Sequence, residues 1–209
     1  MVRTADPTKI GPIRLPRTTR TFIALPLPGA VRSKLEALQT SLAPAVEGAR
    51  WVGPEAFHLT LAFLGDVADP DLNAVCLAVA GSVRNLPRFS LEVRGLGAFP
   101  DAGRPRVLWA GIEGDLDALA AVRRAAFDAA TLAGYRPADE RFHPHVTLAR
   151  LKPGRGASAD LGPLIERRRA WRAGAFPADT VITFASTTTP DGPAYASLGR
   201  APLAAKGHT

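Results

Sequence analysis

Two short segments of this chain carry one chemical pattern. His58-Leu59-Thr60-Leu61 and His145-Val146-Thr147-Leu148 both read His-x-Thr-Leu. In an extended strand, residues two apart share a face. Each segment therefore sets an imidazole beside a hydroxyl and turns aliphatic side chains the other way. The chain has four histidines, and half of them lie in these two copies. Two imidazoles can act as general acid and general base near neutral pH. Two threonine hydroxyls can donate hydrogen bonds to a shared anion. Opening a cyclic phosphodiester needs both. Water must lose a proton as it attacks phosphorus, the leaving ribose oxygen must gain one, and the phosphoryl oxygens need fixed donors.

The elements around the motifs repeat as well. Thr21–Leu25 reads as a first strand. Pro28–Leu42 follows as a helix with Val31, Leu35, Leu38 and Leu42 at helical spacing. His58–Phe63 is the first motif strand. Asp69-Pro70 opens a second helix, with Leu72, Val75, Cys76, Val79 and Val83 on its inner stripe. Phe89–Val93 reads as a strand, loosened beyond by Gly95 and Gly97. The order then recurs: strand Val107–Ile112, helix Asp115–Ala133 with Leu116, Leu119, Val122 and Phe127 inward, and the second motif strand. This is the pattern of an internal duplication with pseudo-two-fold symmetry, so the two motif strands can face one cleft. Val181–Thr188 and Ala194–Leu198 form a final hairpin around Pro190-Asp191-Gly192.

Composition narrows the function classes. The chain has 209 residues, 46% of them hydrophobic, which suits one domain or a joined pair of lobes. Cys76 is the single cysteine, which excludes an internal disulfide and a cysteine-based zinc site and suits a reducing, cytoplasmic setting. No apolar run is long enough for a membrane span, and the N-terminus lacks a signal-like apolar core. The net charge is +7. Residues 1–20 hold five Lys/Arg against one Asp, and residues 150–172 hold seven against two acids, leaving the remainder slightly acidic. Residues 1–19 are expected to be a disordered basic tail, 20–203 one bilobal domain, and 204–209 a C-terminal tail. Either basic segment could attract RNA or simply be solvated. His143 and His145 form a His-x-His, but Pro144 separates them and no further ligands have familiar spacing, so no metal is assigned and His143 is expected to be a turn residue hydrogen-bonded to backbone.

The paired motifs resemble those of the 2H phosphoesterase superfamily, and within it the RNA 2′,3′-cyclic phosphodiesterases, also called 2′-5′ RNA ligases. The residues that carry the likeness are Arg20-Thr21-Phe22-Ile23-Ala24-Leu25, Trp51 through Gly65, Arg106-Val107-Leu108-Trp109, Arg141 through Arg150, and Gly192-Pro193-Ala194-Tyr195. The resemblance implies an α+β bilobal fold, with two pseudo-symmetric, antiparallel-rich sheets flanked by helices around a central cleft. It implies metal-free, cofactor-free hydrolysis of RNA 2′,3′-cyclic phosphate ends, or of a cyclic nucleotide, to 2′-phosphomonoesters. His58 would be the proton donor, His145 the proton acceptor, and Thr60 and Thr147 the phosphate-holding residues. Arg150 matches a basic position after the second motif, although simple strand parity turns it away from His145 unless a bulge or strand end turns it back. Ligation, the reverse reaction, and an inactive RNA-end-binding module are the alternatives. The chain is expected to act as a monomer.

Overall fold

The computed structural model describes residues 17–137, 142–152, 160–189 and 192–205. Its elements run β1 (Thr18–Pro26), α1 (Gly29–Leu42), β2 (Arg50–Trp51), β3 (His58–Ala68), α2 (Leu72–Val83), β4 (Phe89–Phe99), β5 (Val107–Gly114), α3 (Leu116–Leu132), β6 (His145–Arg150), α4 (Gly162–Arg167), β7 (Arg172–Ala178), β8 (Thr180–Thr189) and β9 (Gly192–Pro202).

The strands form two sheets, of order β3-β1-β8-β9 and β2-β6-β5-β4-β7. Their ladders are antiparallel throughout. Each sheet contains one strand–helix–motif-strand unit, β1-α1-β3 extended by two strands or β5-α3-β6 extended by three. The halves of the sequence are not the lobes, however. β4 lies in the first half of the chain but joins the second sheet, and the hairpin β8-β9 returns from the far end of the chain to complete the first. This exchange ties the lobes together, and their apolar faces merge into one core that includes Leu25, Leu59, Leu91, Leu108, Leu119 and Leu148.

The helices follow the sequence pattern with several departures, among them Leu72 and Cys76 in α2 and Phe127 in α3, which are only partly buried. α1 buries Val31, Leu35, Leu38 and Leu42 as expected. In α3, Leu119 and Val122 are buried with Ala126, Ala129 and Ala130, but Leu116 at the first position is exposed. The helix is pinned there by polar chemistry instead, since the Asp115 carboxylate accepts from the Ala118 N–H. α2 begins at Leu72 because Asp69–Asp71 form a separate 3₁₀ turn. Asp69, expected as that helix's cap, accepts from the Thr19 hydroxyl at 2.8 Å.

That bond bears on the N-terminal boundary. Thr18 and Thr19, assigned to a tail from the sequence, are strand residues paired with Ala68 and Val67. The expected tail at 1–16 lies outside the described residues. At the other end Ala204 is anchored to the body, donating to the Leu86 carbonyl and accepting from the Arg88 N–H. No helix among the described residues is long and apolar enough to cross a membrane.

Candidate active site

β3 and β6 are neighbours across the cleft, and they are built alike. Along each, the motif histidine and threonine are partly exposed and the residues between and after them are buried. His58 Nδ1 lies 2.7 Å from the Ala56 carbonyl oxygen, and His145 Nδ1 lies 2.7 Å from that of His143. Each imidazole thus donates its Nδ1–H to the carbonyl two residues upstream. This bond selects the tautomer and leaves Nε2 free as an acceptor when the ring is neutral. The second bond corrects the reading of His143: its carbonyl orients His145, while its own ring is exposed and packs on Trp109 at 4.6 Å. Among the described residues neither the Thr60 nor the Thr147 hydroxyl is engaged by another protein group.

Just after each threonine the ladder breaks in the same way. Ala24 pairs with Thr60 and Ile23 with Ala62, which leaves Leu61 unpaired. Trp109 pairs with Thr147 and Leu108 with Ala149, which leaves Leu148 unpaired. Each is a β-bulge, and a bulge shifts the alternation by one residue. The residue five after each histidine therefore joins the histidine's face. In the first lobe that residue is Phe63, 57% exposed and 5.8 Å from the Phe22 ring that also packs on His58. In the second it is Arg150, also exposed. The parity objection to Arg150 thus falls. Its positive charge bears on the protonation of His58, His145 and Tyr195, lowering the pKa of each.

A buried amide bonds to the backbone at the second bulge. Gln39 on α1 donates to the Leu148 carbonyl at 2.8 Å and to the Val52 carbonyl at 2.9 Å. The Val52 N–H donates to that same Leu148 oxygen. Sequence reasoning missed Gln39 because it sits within an apolar helical stripe and its partners are backbone carbonyls, one 13 and the other 109 residues away.

The two imidazoles differ in their surroundings. His58 lies among Phe22 at 4.8 Å, Tyr195 at 5.2 Å edge-on, and Phe184. Burial pushes its pKa down from the ordinary 6.5 to about 4, and the charges of His145 and Arg150 push the same way against the Ala56 hydrogen bond. His145 lies edge-on to Phe99 at 5.0 Å and beside Trp109. Its pKa is also lowered, first by burial and then by His143 and Arg150, against the hydrogen bond to the His143 carbonyl. The Trp109 ring itself rests on Gly97, where any Cβ would fall inside the indole. Near neutral pH both imidazoles are mainly neutral in the free protein. An anion bound between them would raise both pKa values, so protonation and substrate binding are coupled.

The residues assembled here can move two protons and hold one anion. Among the described residues no three His, Cys, Asp or Glu side chains are grouped to hold a metal ion. The RNA 2′,3′-cyclic phosphodiesterase of Aeropyrum pernix is 36% identical over 174 residues, covering 83% of this chain and 97% of its own. The protein of the same name from Methanothermobacter thermautotrophicus is 30% identical over 179 residues, covering 86% and 96%. Among solved structures, a Thermus thermophilus protein superposes with a TM-score of 0.73 at 30% identity, covering 90% of this chain and all of that one. Escherichia coli LigT in its apo form gives 0.72 at 26%, covering 90% and 98%. The model of the LigT-like phosphoesterases matches two consecutive segments, residues 25–109 and 112–195, each holding one His-x-Thr motif. By sequence, by fold and by its doubled motif, the chain belongs to the LigT-like phosphoesterase family of the 2H phosphoesterases.

Proposed function

We propose that this protein is an RNA 2′,3′-cyclic phosphodiesterase that opens the cyclic phosphate to a 2′-phosphomonoester by metal-free acid–base catalysis. The observation that carries this reading is the duplicated device of β3 and β6. Two imidazoles with free Nε2 atoms, two unengaged threonine hydroxyls and one guanidinium converge on a single cleft. The relatives named for this activity, and E. coli LigT solved with 3′-AMP, support the choice of a nucleotide substrate.

His145, neutral in the free protein, takes the proton of the attacking water through Nε2. His58 delivers a proton to the departing 3′-oxygen. Its depressed pKa makes it a strong acid once the substrate's negative charge has helped to load it. Thr60, Thr147 and Arg150 hold the phosphoryl oxygens as charge builds on them, and a fixed donor of this kind contributes roughly 3 kcal/mol. Phe63 offers an exposed face on which the base of the terminal nucleotide can stack. Every one of these groups comes from one chain, which fits action as a monomer. The lone cysteine and an RNA substrate fit the cytoplasm.

The test is turnover of uridine 2′,3′-cyclic phosphate in the presence of excess chelator. Uridine 2′-phosphate should appear at an undiminished rate. No turnover, turnover restored only by a divalent cation, or a 3′-phosphate product would overturn the proposal.

A further inference from the structure

A recess of about 150 Å³ opens beside His58, on the side away from Phe63. Its lining includes Pro26, Leu27 and the rings of Phe184 and Tyr195. Two charged side chains enter it, Arg32 from the first turn of α1 and Glu55 from the turn before β3. The volume is about that of a cavity that admits one planar ring, and the recess is partly open to solvent, which gives room for a second.

Among the described residues neither side chain has a hydrogen-bond or ion-pair partner, although Glu55 itself is exposed. Arg32 Nε is buried with no hydrogen-bond acceptor. Among the described residues, Arg32 and Glu55 form no ion pair with each other or with another group. The Glu55 carboxylate folds back over Gly53, where a Cβ would displace it. A buried donor without an acceptor is costly and calls for a ligand atom. A phosphate would satisfy Arg32 but would face the Glu55 carboxylate. A purely apolar group would leave both charges unmet. A flat aromatic ring that accepts on one edge and donates on the next meets all three demands. Guanine does this, with O6 and N7 for a guanidinium and N1–H and N2–H for a carboxylate.

We propose that this recess binds a guanine base belonging to the nucleotide immediately 5′ of the cyclic-phosphate end. The inference rests on the cyclic phosphodiesterase reading and adds a preferred substrate sequence to it. Position supports it. His58 hands its proton to the 3′-oxygen, so the ribose of the terminal nucleotide lies on the His58 side of the phosphate. Phe63 lies five residues further along β3, about 15 Å from the start of that strand. The two base sites therefore flank the phosphate-holding threonine from opposite ends of the strand, and a chain passing His58 can reach both.

The experiment compares uridine 2′,3′-cyclic phosphate with four dinucleotides that carry the same cyclic uridine end and G, A, C or U before it. kcat/KM should be at least about tenfold higher for the G-containing dinucleotide than for the other three, the discrimination of one well-made base contact. Glu55→Gln and Arg32→Met should each collapse that preference while leaving turnover of the mononucleotide within twofold. Glu55 is exposed, so its variant is safe for folding, and mononucleotide turnover reports an intact site in both. Equal rates for all four dinucleotides, or preference for another base, would overturn the guanine site while the mononucleotide rate upheld the phosphodiesterase. A matching loss of mononucleotide turnover in the variants would also overturn it, by placing the recess in the phosphate site itself. No turnover of any cyclic phosphate would remove the underlying reading instead.

Discussion

The two motif strands use one backbone and two sets of side chains. β3 and β6 share the imidazole bonded to the carbonyl two residues back, the threonine on the same face, and the bulge that follows. They part at the position that the bulge brings into the cleft, where the first lobe has Phe63 and the second Arg150. They also part at the walls. His58 is enclosed by Phe22, Phe184 and Tyr195, while His145 keeps Phe99 and Trp109 beside it and the exposed His143 two residues away. A symmetric pair of imidazoles has no reason to divide the work of acid and base. The different rings around the two imidazoles, and a cation at the cleft position of one motif strand where the other has a phenyl ring, make the pair unlike. The duplication provides the geometry, and the divergence of a few side chains makes the two halves of the site unlike.

The largest expected effect comes from deleting either imidazole. His58→Ala and His145→Ala should each lower kcat by at least about 10²-fold with the fold retained, since general acid or base catalysis contributes 10²–10⁴-fold. Near-native turnover in either variant would remove that lobe from the chemistry. Exchanging Thr60 or Thr147 for valine keeps shape and removes a donor. Each should cost about 2–4 kcal/mol in kcat/KM, by the scale of a lost oxyanion donor. Unchanged kcat/KM in both would end the anion-holding role.

The divergent position separates the lobes more sharply. Arg150→Ala should reduce kcat/KM for every substrate by about 2 kcal/mol or more, because a charge-assisted bond to the phosphate is lost. Phe63→Ala should raise KM by about 1–3 kcal/mol of lost stacking and spare kcat. If Phe63→Ala were the kcat variant and Arg150→Ala the KM variant, the two lobes would have been assigned each other's tasks.

Much of this arrangement was legible in the residues. The strand–helix–motif order, the α+β class and the face shared by histidine and threonine follow from spacing, since period-two alternation and helical stripes are local signals. Three features were not. The exchange of β4 and of the β8-β9 hairpin between the sheets depends on long-range pairing. The side of Arg150 depends on a bulge, and nothing in His-Val-Thr-Leu-Ala-Arg marks which residue leaves the ladder. The aromatic enclosure of His58 draws on β1, β8 and β9, which are distant in sequence. Gln39 belongs with these, because a buried amide serving two backbone carbonyls resembles any polar residue until its partners are known.

Gln39 gives a smaller, sharper test. Gln39→Met fits the apolar stripe but leaves the Leu148 oxygen with one donor and the Val52 oxygen with none from this side chain. Stability should fall by about 1–3 kcal/mol. If Gln39 fixes the bulge, the remaining activity should be less sensitive than wild type to loss of Arg150, so a double-mutant cycle should show coupling of 0.5 kcal/mol or more. Additive effects would confine Gln39 to stability.

A further expected effect is on stability against pH. The His58 pKa is depressed in the folded state, so protons favour the unfolded chain. Stability from this group is full above about 6.5 and declines as pH falls toward 4, by up to about 3 kcal/mol. His58→Phe should flatten the fall of Tm between pH 7 and 4.5, and an unchanged slope would show that the enclosure does not disfavour the charged ring. In kinetics, both limbs of the kcat/KM bell should lie below 6.5 and belong to the coupled pair, and the kcat bell should sit at higher pH because the bound anion favours imidazolium.

The division of labour between the lobes is tested most directly by changing the leaving group. A uridine 2′-phosphodiester-type analogue whose departing 3′-position carries sulfur in place of oxygen needs no proton to leave. On that substrate His58→Ala should recover to within about tenfold of wild type, while His145→Ala stays at its low rate because water must still be deprotonated. Recovery of His145→Ala with failure of His58→Ala would reverse the acid and base, and recovery of neither would contradict general-acid catalysis by this pair.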